Sequence, residues 1–422
     1  MQMKRRNVLA AAAAATVAVA LAASGAAAQS GPPIKVGAGL ALTGAGAPAG
    51  KMLQAAIEIW KDDVNAKGGL LGRPVEFISY DDQSTPSNVP GIYTKLITVD
   101  KVDLLLGPYA TNFVAPAMPT IIQQNKMTIS LTAIGINRHF NYNKYFSMVP
   151  VGQEGVNAFS KGFFEIAAKQ NPKPQTVALL GADAEFARSA LDGAKEELKR
   201  HGFKVVYDQS YPPATTDFTP MVRAIQASNA DIVYIGAYPP DNVGIVRAAN
   251  EIGLSPKMFG GAMIGMLITP IRVQLGPIIN GLVISETFLP SNKLQFDGLD
   301  SLMKRYQAKA GELKTDPLGY AFVPIGYAAG QTLAKAVTET KSLDHDKLAA
   351  YMHANSFDTV VGTIRFGKDG EWEKPRQFTT QFQNVGPNNL DQFRDGSRTP
   401  ILYPPDFKNG NLIYPYADAR KK

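Results

Sequence analysis

Cysteine is absent from all 422 residues. No disulfide can form and no lipid-bearing cysteine can follow an export signal, so burial alone must hold the fold together. Beyond the N-terminal segment there is no apolar run long enough to span a bilayer as a helix. Catalytic signatures are missing as well. The histidines are His139, His201, His345 and His353. None stands in an HExxH pattern or has a cysteine partner, which argues against zinc. No serine sits in a GxSxG elbow, and no Gly-Lys-Ser/Thr phosphate loop occurs. Gly37, Gly39 and Gly44 are spaced GxGxxxxG, which is not the dinucleotide fingerprint. Asp81 and Asp82 end a strand, and adjacent strand residues point to opposite faces. They are read as capping the turn that holds Ser84, Pro86 and Ser87, not as an acid/base pair. The chain is therefore expected to be no enzyme and to need neither cofactor nor metal.

What is present describes a globular protein: 45% hydrophobic and 19% charged residues, over a length that favours two domains. The net charge is +7, but Lys4, Arg5 and Arg6 lie in the first 28 residues, which hold no acid, leaving +4 for the rest. Those remaining charges are interspersed, so nucleic acid is excluded as a partner. The N-terminus has a basic start, an apolar stretch from Val8 to about Ala23, and Ala26 and Ala28 at the −3 and −1 positions. This reads as a secretory signal peptide over residues 1–28 and places the mature chain in the periplasm. The Arg5-Arg6 pair resembles a twin-arginine signal while the following residues fit it loosely, so the Sec and Tat routes both stay open. A membrane anchor is the alternative, disfavoured by the short apolar stretch and the cleavage pattern.

From Ile34 onward, apolar strands alternate with amphipathic helices. Leu53, Ile57, Trp60 and Val64 share one helical face, and Gly68-Gly69 stops that helix. The grammar restarts after FSMVPVG, with strands at TVALLG, KVVYDQS, ADIVYIGAY and PKMFGG. Such a pattern means parallel sheets covered on both faces. VVGTIRFGKDGEWEKPRQFTTQF reads as two strands joined at KDGE. The predicted fold class is α/β, with two Rossmann-like doubly wound lobes. Ligands of open α/β sheets sit beyond the carboxyl ends of strands, and two facing lobes make a cleft that closes by hinge motion.

Particular stretches carry a more specific likeness. IKVGAGLALTGAGAPAGKMLQAAIEIWKDDVNAKGGLLGRPVEFISYDDQSTPS resembles the opening of the type I periplasmic solute-binding proteins, in their leucine/isoleucine/valine-binding branch. DIVYIGAYPPDNVGIVRAANEIGL and NSFDTVVGTIRFGKDGEWE are similar to that branch too. The resemblance implies two lobes, 29–150 plus 288–361 and 151–287 plus 362–390, with crossings near Pro150, Thr287 and Val361. Residues 391–422 are expected to pack on the lobes or to be partly disordered. It also implies a monomer that takes a small-molecule ligand and works with the permease and ATPase subunits of an ABC importer.

The resemblance puts the TGAGAPAG loop, Tyr109, Ala110, Thr111 and Asn112, and then Thr132 and Ile134, on the first wall of the cleft. The threonine hydroxyls and nearby backbone N–H groups would hold a ligand carboxylate, which also suits a helix start. Phe186 and Tyr238 would cover the ligand from the second lobe. Arg188 could meet a ligand anion or be an ordinary surface arginine. Amino-acid-binding relatives place an acid near the position of Ala262 for the ligand ammonium. An unpaired ammonium in a closed cleft would cost several kcal/mol, order of magnitude, so an apolar or aromatic carboxylate is the expected ligand. A conventional amino acid is the alternative, held by Asp183, Glu185 or Asp241 instead. Met258 and Met263 could adapt to an apolar ligand or pack in the lobe core. A third reading is ligand sensing for a separate signalling protein.

Overall fold

The computed structural model describes residues 30–153 and 155–421, so the expected signal peptide lies outside the described residues. Ten parallel strands form the frame. β1 (Ile34–Leu40), β2 (Val75–Asp81), β3 (Leu104–Leu106), β4 (Thr128–Ser130) and β5 (Tyr145–Ser147) make one sheet in the order β2-β1-β3-β4-β5. β6 (Thr176–Ala182), β7 (Lys204–Tyr211), β8 (Ile232–Ala237), β9 (Met258–Met263) and β10 (Leu282–Glu286) make the parallel part of a second. The inner strands read as unbroken apolar runs because helices cover both faces of each sheet, whereas the edge strand β7 is largely exposed. β8 is buried along its whole length. Among the described residues, no helix is long and apolar enough to cross a membrane.

After β10 the chain builds three helices, Leu299–Lys309, Val323–Thr340 and His345–Ala354. They belong to the first lobe. Val323–Thr340 packs against Ala47–Ala66, with Trp60 lying where a Cβ on Gly330 would be. Arg305 pairs with Asp63, and Tyr327 donates its hydroxyl hydrogen to the same carboxylate at 2.6 Å. The hairpin of β11 (Ser356–Thr359) and β12 (Gly362–Arg365) follows. β13 (Phe378–Gln381) then pairs antiparallel with β10, and β14 (Ile401–Tyr403) with β13, giving the order β14-β13-β10-β9-β8-β6-β7.

Two sequence expectations need correction here. Val361 is no crossing: it lies in the turn of the β11–β12 hairpin, and the third passage between lobes comes after Trp372 and before β13. Val360 and Val361 look like strand residues, yet Thr359 Oγ1 accepts the Val361 amide and donates to the Gly362 carbonyl, closing the turn. The KDGE reversal gives one isolated bridge, Phe366 to Trp372. The turn itself is present, with the Gly367 amide on the Glu371 carbonyl at 2.7 Å and the Glu373 amide on the Arg365 carbonyl at 2.8 Å. The Gly370 carbonyl accepts the Ser147 amide at the edge of β5; what differs is that β13 pairs in the other sheet and not with β12. Residues 391–421 supply β14 and wrap the second lobe. Within that wrap, Tyr416 stacks edge-on against Phe259 at 5.6 Å.

The MFGG stretch of β9 is dictated by its neighbours. A Cβ on Gly260 would lie 1.7 Å from the Val283 carbonyl oxygen, and one on Gly261 2.4 Å from that of Ile235. Gly260→Ala must therefore push β10 away, and is expected to cost about 3 kcal/mol or more of stability. Urea denaturation checks this; a loss below about 1 kcal/mol would show that the sheet yields easily.

Candidate ligand-binding cleft

The parallel strands of both lobes end on one cleft, and each contributes a residue just beyond its carboxyl end. Two adjoining chambers result. The inner one, about 40 Å³, takes Tyr109, Ala110 and Thr111 after β3, Thr132 and Ile134 after β4, and Val149 after β5. From the other side come Phe186 after β6, Ile264 and Leu267 after β9, and Thr287 after β10. Phe159 and Phe322 complete it. The outer chamber, about 260 Å³, shares Tyr109 and Ala110. It adds Ala45 and Gly46 after β1, Ser84 after β2, Asn112, Pro213 after β7, and Tyr238 and Asp241 after β8. Strand order reverses at β1/β3 and at β6/β8. Both reversals face the cleft, where open α/β sheets bind ligands.

The first-lobe wall is preorganised. Ala110 has φ +66°, a conformation that costs a non-glycine residue about 1–3 kcal/mol and is kept only where its surroundings enforce it. Thr132 Oγ1 accepts the Ala110 amide at 2.8 Å, and Thr111 Oγ1 accepts the Ile134 amide at 3.2 Å. Each hydroxyl still has its own hydrogen to donate. Thr111 begins the helix Thr111–Gln123, whose first amides have no intrahelical acceptor and carry the positive end of the helix dipole. Hydroxyl hydrogens and free amides thus converge beside the inner chamber. No charged side chain lines it among the described residues.

Aromatic rings form the opposite wall. Phe159 meets Phe186 edge-on at 5.4 Å, and Phe186 meets Tyr238 at 5.9 Å. On the first lobe Tyr109 packs on Phe113 and Phe322. Tyr238 then crosses between lobes, its hydroxyl donating to Asn112 Oδ1 at 3.1 Å. Burial pushes the phenols of Tyr109 and Tyr238 up, so both remain neutral donors.

Tyr109, Ala110, Thr111, Thr132, Ile134 and Phe186 therefore meet at the inner chamber, and Asn112 and Tyr238 at the outer. Arg188 and Ala262 lie elsewhere. Arg188 is half exposed and pairs with Asp183 at 2.8 Å and Glu185 at 3.3 Å, which occupies all three charges. Ala262 is fully buried inside β9 opposite Gly236. The wall lies a little further along, at Ile264 and Leu267, because β9 continues to Met263 before the chain turns. Met258 and Met263 pack in the core. Sequence reasoning passed over Val149, Phe159, Thr287, Ile264, Leu267 and Phe322. The residue following a predicted strand end was an available signal for Thr287 and Ile264; nothing local marks Phe159 or Phe322.

One acid remains at the cleft. Asp241 Oδ2 accepts the Tyr211 hydroxyl at 3.0 Å and the Tyr238 amide at 3.3 Å, and burial raises its carboxyl above the ordinary range. Asp81 supports the first-lobe rim by accepting the amides of Leu42, Thr43 and Gln83. Asp82, buried behind it, accepts the Ser84 amide at 2.8 Å.

A two-lobed binder that closes strand-end loops around a small solute is the class this geometry defines. The chain belongs to the periplasmic binding protein family, whose model matches residues 33–382. It is 25% identical over 309 residues to the Leu/Ile/Val-binding protein of Escherichia coli K12, covering 73% of this chain and 80% of that one. Identity to the leucine-, isoleucine-, valine-, threonine- and alanine-binding protein of Pseudomonas aeruginosa is 24%, covering 80% and 87%. Among solved structures, a solute-binding protein of R. palustris in complex with benzoate superposes with a TM-score of 0.73 at 18% identity, over 88% of this chain and 95% of that one. The LivJ protein of Streptococcus pneumoniae in complex with isoleucine gives 0.72 at 18%, over 88% and 100%.

Tyr238→Phe removes one inter-lobe hydrogen bond and nothing else, worth about 1 kcal/mol. A larger radius of gyration of the ligand-free variant is expected by small-angle scattering; an unchanged radius would show that this bond does not hold the lobes. Asp82 supplies a pH signature. Burial, with Asp81 adding and the Ser84 amide opposing, lifts its carboxyl from 3.8 to about 6. The folded state then holds a proton that the unfolded state has lost, so this contribution is full below pH 3.8 and disappears as pH rises through about 6. Asp82→Asn should flatten the fall in melting temperature across that window, and an unaltered slope would assign the fall to other groups.

Proposed function

We propose that this protein captures an apolar or aromatic carboxylate in the periplasm and delivers it to the permease and ATPase of a branched-chain-amino-acid-type ABC importer. The reading rests above all on the inner chamber, where hydroxyl and amide donors face aromatic and aliphatic walls with no charged side chain among the described residues. A carboxylate placed against Thr111, Thr132 and the helix start gains charge-assisted hydrogen bonds. Phe186, Phe159 and Tyr109 cover the body at little side-chain entropy cost. The benzoate-bound structural relative supports this choice. Binding with closure, without turnover, is the expected activity. Residues 1–28 act as the export signal, by Sec or Tat, and the mature chain works as a monomer.

Asp241 favours a second reading. It is the one charged side chain lining the outer chamber among the described residues, and it could hold an ammonium where Asp183 and Glu185, already paired to Arg188, could not. The isoleucine-bound relative supports that alternative.

Calorimetric titration of the cleaved protein with benzoate, 4-hydroxybenzoate, leucine and isoleucine separates the two. Binding of an aromatic acid, weakened at least about tenfold by Phe186→Ala and unaffected by Asp241→Asn, is the expected result. Tight leucine binding that Asp241→Asn abolishes would establish the amino-acid reading instead.

A further inference from the structure

The cleft wall is braced from behind by a buried ion pair that the binding of a ligand does not itself require. Arg272 and Glu286 are 5% and 1% exposed, and a guanidinium nitrogen lies 3.0 Å from a Glu286 oxygen. Arg272 Nε also donates to the Met266 carbonyl, inside the turn Ile264–Leu267. That turn gives Ile264 and Leu267 to the inner chamber, and Thr287, the residue after Glu286, lines it as well. One guanidinium therefore ties together two stretches of the second-lobe wall. Phe382 and Phe393 lie against it, with ring centroids 5.2 and 5.8 Å away. Phe393 comes from the C-terminal segment beyond residue 382, outside the span matched by the family model.

Energetics say what such a pair is for. Burying two charges costs several kcal/mol of desolvation per ion, which their attraction roughly repays, so apolar residues of similar size would hold the core as well. What the apolar residues would lack is direction. The rigid donor fork of arginine fixes a carbonyl on one segment and a carboxylate on another in a single plane.

We propose that Arg272 is a positioning residue of the cleft, clasped by Glu286 and Phe393, so that the C-terminal segment helps decide which ligand shapes the inner chamber accepts. This rests on reading that chamber as the ligand site. The lock acts on the Ile264–Leu267 turn, which Asn242 steadies from the other side by accepting the Gly265 amide at 2.6 Å. Loss of the lock frees the turn without removing any group that touches ligand.

The test compares the full mature protein with the Arg272→Met/Glu286→Leu double variant, which leaves neither charge orphaned, and with Phe393→Ala. Hydrogen exchange is followed at the Gly265 and Ile268 amides without added ligand, and benzoate and leucine affinities are measured by calorimetry. Both variants are expected to remain folded, with exchange at the two amides raised by about tenfold. The ratio of the two affinities should move toward unity by a similar factor. Folded variants with wild-type exchange and an unchanged ratio would overturn the proposal. If the double variant fails to fold, Phe393→Ala decides alone. If neither probe binds the wild type, the cleft reading fails with them, while the exchange arm still settles whether Arg272 holds the turn.

Discussion

Parallel alignment is the constraint on which the rest depends. A parallel strand must return through a crossover, so the loops at its carboxyl end all open in one direction. Here two such sheets face each other, and the end of each parallel strand reaches the same cleft. No long-range design of the loops is needed to gather these residues. The three passages between lobes, after β5, after β10 and before β13, keep the two sets of strand ends opposed while leaving a hinge.

Within that frame, polarity is graded along the cleft. Thr111 and Thr132 use their oxygens to shape the first-lobe loops and leave their hydrogens for a ligand. Beyond Tyr109 the walls become more polar, with Ser84, Asn112 and Asp241. A ligand whose carboxylate takes the inner chamber and whose apolar body extends into the outer one leaves no buried charge unpaired. A second polar group on the ligand would have to reach Asp241. The Tyr238–Asn112 bond spans the lobes at the outer chamber, so one side chain both lines that chamber and links the lobes.

Much of this was legible in the sequence because parallel-sheet proteins advertise their strands as apolar runs and their binding loops as the small or polar residues that follow. Tyr109 to Asn112, Thr132, Ile134, Phe186 and Tyr238 were named from the family likeness, and they line the two chambers here. Ala262 was misplaced because a strand's end is not visible in a run such as MFGGAMIGM, where no polar residue or proline marks it; the wall begins two residues later. Arg188 was a candidate only until its acidic neighbours were seen to neutralise it. β5 was missed because three residues carry too little periodicity to separate from a loop. Phe159, Phe322 and the Arg272–Glu286 pair depend on contacts between distant segments, which no local pattern encodes.

That the lobes close on a solute held between these chambers is the central claim, and the absence of cysteine makes it directly measurable. Ser87→Cys on the first lobe and Thr216→Cys on the second place unique labels at exposed sites close in sequence to Ser84 and Pro213 of the outer chamber. Pulsed electron-spin distance measurement then reads the gap across the mouth, with and without saturating benzoate. The account predicts that the ligand collapses the distribution onto its shorter distances, and that Tyr238→Phe weakens the collapse. A distribution unmoved by benzoate at concentrations where calorimetry detects binding would contradict it.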